Sequence, residues 1–173
     1  MKIIAFAGSP SKKSINKKLA TYAASLFQNA TVEVLDLYDY EMPLFSVDKE
    51  LTIGQHPYAK QFLEKLVSAD LLVVSLAENN KNYAAAFKNI FDWCSRIDVK
   101  VFQEKSMLLM ATSPGRGGGS WVLNIAKEAF PHYGANIVGT FSLPSFNENF
   151  DTKKMEISNP ELDNQLKDII KNF

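Results

Sequence analysis

The sequence has one cysteine, Cys94, and two histidines, His56 and His132. A single thiol excludes an internal disulfide and a cysteine-based metal cluster, and two imidazoles are too few for a histidine-rich metal site. Charge of one sign is also missing: Lys and Arg total 19, and Asp and Glu total 19. That balance removes the electrostatic argument for nucleic acid or a membrane surface as a partner. No apolar run approaches the length of a membrane span. The opening, Met1-Lys2, leads into only a short apolar run and then a polar loop, which lacks the pattern of a secretory signal. A cytoplasmic location is therefore expected. No Ser/His/Asp or Cys/His constellation for nucleophilic catalysis stands out, and Ser113 lacks the Gly-x-Ser-x-Gly elbow. What is present is 173 residues at 46% hydrophobic and 12% aromatic. That suits one domain, residues 1–173, around one core.

The chain alternates apolar runs of strand length with helical patterns, the signature of a parallel α/β sheet. Lys2 to Ala7 is the first such run, and Leu19, Ala23, Leu26 and Phe27 follow at helical spacing. Thr31 to Leu37 alternates, as an edge strand does. A long acidic connection, Tyr38 to Gln55, reads as irregular, and Ala59, Phe62, Leu63 and Leu66 give the next helix. Leu71 to Leu76 is apolar on both faces and so belongs at the centre of a sheet. A polar turn, Glu78 to Asn82, leads to a helix from about Ala84 to Arg96. Met107 to Ala111 is the fourth strand, and Asn136 to Leu143, with its alternation, the fifth. Pro144 to Asn159 reads as loop, and Pro160 suits the first turn of a last helix carrying Leu162, Leu166, Ile169 and Ile170. Five strands with edges at the second and fifth favour a doubly wound sheet of order 2-1-3-4-5 with helices on both faces.

In such a sheet ligands bind outside the carboxyl ends of the strands at the switch point. Three polar loops fall there. The first is Gly8-Ser9-Pro10-Ser11-Lys12-Lys13-Ser14-Ile15-Asn16. It runs from a strand into a helix, so hydroxyls, amides and backbone N–H groups meet the positive end of the helix dipole, where a phosphate is held. It is neither a Walker loop, since no Gly-Lys-Ser/Thr closes it, nor a GxGxxG fingerprint. The second loop carries Glu78, Asn79 and Asn80, and the third carries Ser113, Pro114, Gly115, Arg116, Gly117, Gly118 and Gly119. Their convergence would make one crevice for a phosphate-bearing ligand.

These residues resemble the NADPH-dependent FMN reductase family, the flavodoxin-like flavoproteins that include quinone, azo and chromate reductases. Gly8-Ser9-Pro10-Ser11 through Ser14-Ile15-Asn16 is similar to the family's phosphate loop, usually Gly-Ser-x-Arg-x-x-Ser-x-Asn. Glu78-Asn79-Asn80, then Phe87-Lys88-Asn89-Ile90-Phe91-Asp92-Trp93, is similar to its Pro-Glu-Tyr-Asn loop and Leu-Lys-Asn-x-x-Asp-Trp helix. Ser113 to Gly119 resembles its glycine-rich third loop. The sequence departs from the pattern at Ser11, where many members have Arg, and at Ala77 and Asn79, which replace Pro and Tyr. Lys12 or Lys13 is the expected compensation for the missing Arg.

The resemblance implies a flavodoxin-like fold and FMN bound by Gly8, Ser9, Ser11, Ser14, Ile15, Asn16, Glu78, Asn79, Asn80 and residues 113–118. It implies NADPH or NADH as co-substrate, with hydride passing through flavin N5 to free flavin, a quinone, an azo compound or a metal oxyanion. Glycines let backbone approach the flavin's pyrimidine edge, where charge develops on reduction. The flavin carries the chemistry, so no catalytic side chain and no metal is called for. Arg116 is available to a 2′-phosphate. Two other readings are a flavodoxin-type carrier reduced by a protein partner and a module that holds a phosphate ligand without redox chemistry.

The helix from Ala84 carries two apolar stripes: Ala84, Phe87, Phe91 and Cys94, and Ala86, Ile90, Trp93 and Ile97. A helix on one side of a sheet needs only one. The second stripe calls for a cover, either the carboxyl-terminal helix or a second copy. The resemblance, which implies dimers and sometimes tetramers, favours a homodimer with Trp93 in the interface.

Overall fold

A computed structural model describes the whole chain, Met1–Phe173. Its frame is a parallel sheet of β1 (Lys2–Gly8), β2 (Thr31–Leu35), β3 (Leu71–Leu76), β4 (Lys105–Thr112) and β5 (Ala135–Leu143). In space the strands run β2-β1-β3-β4-β5, the order the edge-like patterns predict. β3 is buried at every residue, while Val32 and Val34 of β2 are exposed, as centre and edge require. The chain thus has the flavodoxin-like arrangement, with its switch point between β1 and β3.

Helices cover both faces. On one side lie α1 (Ile15–Ser25) and the last helix, Pro160–Ile170. They pack Leu19, Ala20, Ala23 and Leu166 against Ile3, Ala5, Val73 and Leu108. Asn159 starts the last helix by accepting from the N–H groups of Glu161 and Leu162, with Pro160 in the first turn as expected. On the other side lie α3 (Pro57–Val67), α4 (Ala85–Ser95) and α5 (Ser120–Ala129). They bury Phe62, Leu66, Phe87, Ile90, Trp93 and Val122 against Ile4, Phe6, Leu72, Val74 and Leu109.

Three segments differ from their sequence reading. Thr31–Leu37 ends as a strand at Leu35; Asp36 then caps a short 3-10 turn, Leu37–Tyr40. The connection expected to be irregular also holds α2 (Val47–Ile53), which starts at Ser46 and ends at Gly54. α2 buries no residue, so it leaves no core-facing periodicity in the sequence. The loop Pro144–Asn159 contains a helical turn, Phe146–Asn149, and a ladder pairing Phe150–Asp151 with Glu156–Ile157. Buried Phe146, Phe150 and Ile157 hold it against the α1 side.

The second apolar stripe of α4 has a cover that the sequence reading did not consider. Ile90 and Trp93 are buried within the chain, neither by the carboxyl-terminal helix nor by a second copy. The connection wraps over them: Trp93 Nε1 donates to the Pro43 carbonyl at 2.8 Å, and the Phe45 ring meets the indole edge-on at 5.1 Å. Asn89 fixes the wrap by accepting from Phe45 N–H at 2.8 Å and donating to the carbonyls of Met42 and Pro43. α4 is apolar on two sides because it is sandwiched between sheet and connection. Trp93 is core and not an interface anchor. Lys88 and Asp92 pair one turn apart on the helix surface, while Asn89 and Trp93 bind the connection.

Candidate functional site

The loops after β1, β3 and β4 meet at the carboxyl edge of the sheet around a cavity of about 270 Å³. Ser9, Ser11, Lys13, Ser14, Ile15 and Asn16 line it from the first loop, Ala77, Glu78 and Asn79 from the second, and Thr112, Ser113 and Pro114 from the third. Chain topology alone brings these three segments together, since β1, β3 and β4 are neighbours in the sheet.

The first loop gathers groups that can donate to an anion. Ser14 caps α1, its Oγ accepting from Lys17 N–H at 3.2 Å, and its own O–H remains free to donate. Ser9 Oγ likewise accepts from Ser11 N–H at 3.3 Å and keeps its proton. Ile15 and Asn16 open the helix, so their N–H groups have no intrahelical acceptor. Lys13 supplies positive charge from the cavity wall, whereas Lys12 is turned away, its Nζ 4.5 Å above the Tyr38 ring. Of the two lysines expected to offset Ser11, only Lys13 lines the cavity. Lys17 is already paired with Asp36. Gly8 sits beneath the loop: a Cβ there would come to 3.0 Å from Leu76 Cδ2 and 3.4 Å from Phe87 Cγ.

Asn16 lines the cavity, and its side chain makes three hydrogen bonds within the chain. Its Oδ1 accepts from Ser75 Oγ and from Thr112 N–H, and its Nδ2 donates to the Thr112 carbonyl. The amide is thus a brace between α1, β3 and β4, with one Nδ2 hydrogen left to donate. Ser75 and Thr112 were not singled out from the sequence. Their signal was a hydroxyl inside the apolar run Leu71–Leu76 and another at the end of β4.

The turn after β3 is a small hairpin, Glu78–Asn79 paired with Asn82–Tyr83. Asn80 and Lys81 at its tip have φ of 51° and 63°. Asn80 therefore stands at the tip and not on the cavity wall. Glu78 Oε2 accepts from Val122 N–H at 3.1 Å, and Lys81 Nζ lies 4.6 Å from the Trp121 ring. These two contacts tie the hairpin to the start of α5, where Trp121 is 56% exposed.

The glycine-rich loop is anchored and not a free surface turn. Its Gly115 carbonyl accepts from Ser145 N–H at 2.9 Å, its Gly118 carbonyl from Ser142 Oγ at 3.0 Å, and the Ser113 carbonyl from Phe146 N–H at 3.0 Å. Gly118 and Gly119 have φ of 57° and 77°, and a Cβ would fall 2.3 Å from Ser142 Oγ at the first and 2.8 Å from Ala111 Cβ at the second. Both must be glycine for the loop to reach α5. Gly115, Arg116 and Gly117 are exposed and continue the third wall beyond Pro114. No group of three His, Cys, Asp or Glu side chains is placed to hold a metal. His132 is exposed, and Cys94 is core, its thiol pushed up to about 12 by burial.

Residues 1–148 match the family described as NADPH-dependent FMN reductase. The chain belongs to that family. It is 28% identical over 123 residues to an NADPH:quinone oxidoreductase of Arabidopsis thaliana, covering 69% of this chain and 61% of the plant protein. It is 31% identical over 97 residues to a 2-hydroxy-1,4-benzoquinone reductase of a Burkholderia species, covering 56% of this chain and 51% of that protein. The match thus spans less than two thirds of the length of either relative. The flavoenzyme NAD(P)H:(acceptor) oxidoreductase FerB of Paracoccus denitrificans superposes with a TM-score of 0.76 at 19% identity, over 98% of this chain and 93% of that one. At that identity the FMN reductase family member and FerB share a fold.

Proposed function

We propose that residues 1–173 act as one FMN-binding domain of an NAD(P)H-dependent reductase, which passes electrons from a reduced nicotinamide to a small acceptor at one site. The acceptor classes are free flavin, quinone, azo compound or metal oxyanion. The observation that carries this reading is the convergence of the loops after β1, β3 and β4 on one crevice. The donor set of the first loop suits a phosphate dianion: two hydroxyls with protons to give, unpaired first-turn N–H groups and the Lys13 ammonium.

When bound, FMN supplies the hydride chemistry, and no side chain is assigned a catalytic role. The chain binds and orients. Gly8, Ser9, Ser11, Ser14, Ile15 and Asn16 hold the phosphate end. Glu78, Asn79 and Asn80 flank from the hairpin. Ser113, Pro114, Gly115, Arg116, Gly117 and Gly118 offer backbone on the third side. Arg116 is exposed and forms no ion pair, so it is free for the 2′-phosphate that separates NADPH from NADH.

A homodimer, with pairing into tetramers as a further step, belongs to the same proposal on new support. Val47 and Leu51, one turn apart on α2, are 60% and 80% exposed. Such a strip is covered at low cost by a second copy. Leu51→Glu should shift a dimeric parent to monomer in sedimentation velocity. No helix is long and apolar enough to cross a membrane, and the proposed setting is the cytoplasm.

The test is steady-state kinetics on protein purified with its cofactor. A yellow protein giving parallel double-reciprocal lines with NADPH and a quinone supports one shared site. Intersecting lines would mean that both substrates bind together and would reject it.

A further inference from the structure

The hairpin after β3, α4 and the 3-10 turn Phe130–Tyr133 that follows α5 enclose a cavity of about 120 Å³. It shares no lining residue with the crevice. Its walls are aromatic: Tyr83, Phe87 and Phe91 on one part, Phe130 and Tyr133 on the other. The Tyr83 and Phe91 rings lie nearly parallel to Phe130, at 13° and 14°, and Tyr133 meets Phe91 edge-on at 4.8 Å. Rings set this way offer faces and edges to a further ring. Apolar cavities of roughly 150 Å³ hold benzene. A space of about 120 Å³ therefore suits one six-membered ring and excludes a flavin or a nicotinamide dinucleotide.

The polar groups of the lining narrow the ligand. The Tyr83 hydroxyl is buried and forms no hydrogen bond, the one buried side-chain polar atom of the chain left without a partner. A buried hydroxyl in that state is costly, and a bound molecule that pairs with it recovers the cost. Burial, with a smaller push from Tyr133, raises the Tyr83 phenol to about 12, so it stays protonated at neutral pH and can donate or accept. Lys88 also borders the cavity, but its Nζ bonds both oxygens of Asp92, at 2.7 and 2.8 Å. An anion thus finds no free cation here, and a cation would meet that ammonium. A lone water is poorly held, since a buried water needs about two to four polar partners.

We propose that this cavity binds a small neutral molecule of the phenol class, one ring carrying a hydroxyl that pairs with Tyr83. The ligand does not react there, and the site stands whether or not the crevice holds FMN.

The test is a fluorine NMR titration of the full chain, as purified, with 4-fluorophenol and with fluorobenzene, which has the ring and lacks the hydroxyl. The phenol should bind about fivefold more tightly, the effect of one hydrogen bond. Tyr83→Phe should remove that difference and leave fluorobenzene affinity unchanged. Ala129→Leu, at the end of α5, fills the space and should weaken both probes at least about tenfold. Should that variant misfold, Tyr83→Phe still decides. It keeps the ring packing, and its stability in urea should equal or exceed the parent's, because an unpartnered buried hydroxyl is gone. Saturating FMN should leave the bound 4-fluorophenol in place. No binding to the parent, equal affinity for the two probes, or a preference that survives Tyr83→Phe would overturn the proposal. So would displacement by FMN, which would put the probe in the crevice. Variants that leave probe binding unchanged but alter the sedimentation coefficient would also overturn it, assigning the cavity to a second copy of the chain.

Discussion

Asn16 and Thr112, 96 residues apart in the chain, exchange two hydrogen bonds: Asn16 Nδ2 donates to the Thr112 carbonyl at 3.1 Å, and Thr112 N–H donates to Asn16 Oδ1 at 3.0 Å. Ser75 Oγ donates to the same oxygen at 2.7 Å. One buried amide therefore locks the start of α1 to the carboxyl ends of β3 and β4. Those are the three places from which the candidate site is built.

Asn16→Ala leaves the Ser75 hydroxyl and both Thr112 backbone groups without partners inside the protein. Each unsatisfied buried group costs about 1–3 kcal/mol, so the total loss should be about 3 kcal/mol or more by urea denaturation. FMN affinity should fall as well, because the loops lose their common brace. A loss near zero would mean that water replaces the amide freely.

Much of this arrangement was legible in the sequence. The strand order followed from which apolar runs alternate, and the three loops followed from where those runs end. Asn16 is legible as a site residue, but its bracing duty is not: its residue type fits both a ligand donor and a brace, and only the positions of Ser75 and Thr112 reveal the brace. The cover of Trp93 was hidden because the segment Met42–Phe45 is short and aperiodic, and its bonds to α4 are made by backbone carbonyls that any sequence has. α2 was hidden for the opposite reason: it touches no core, so nothing selects a helical pattern in it.

Ser9→Ala with Ser14→Ala should weaken FMN binding at least about tenfold in calorimetric titration, since each hydroxyl-to-dianion bond contributes about 1.5–3 kcal/mol. The double variant also loses the Ser14 cap, at about 1 kcal/mol of stability, so folding is checked in the same samples. Unchanged affinity in folded protein removes the phosphate from this loop.

The two lysines of the loop should behave differently. Lys13→Ala should weaken FMN binding severalfold and flatten its salt dependence, because one ammonium no longer faces the phosphate. Lys12→Ala should leave FMN affinity nearly unaltered, since its ammonium sits over Tyr38. Equal effects would show that the loop reorganises when ligand binds.

Burial pushes the Cys94 thiol up to about 12, and its Sγ lies 3.5 Å from the Ala59 carbonyl. The folded chain keeps the proton that the unfolded chain releases near pH 8.5. The stabilising contribution is therefore complete below that pH and is lost as pH rises toward 12. Cys94→Ala should lower stability at neutral pH and reduce its decline between about pH 9 and pH 10.5. A disulfide reagent should label Cys94 only on unfolding. Prompt labelling of native protein would contradict this.

In the proposed function the crevice at the ends of β1, β3 and β4 holds FMN that a reduced nicotinamide reduces directly. Anaerobic stopped-flow mixing of the FMN-loaded protein with NADPH, with no other protein present, tests it most simply. Bleaching of the flavin absorbance within the turnover time is expected, followed by recovery when a quinone is added. A flavin that stays oxidised with NADPH and with NADH, yet is reduced by a protein electron donor, would rule out direct reduction and make the chain a carrier.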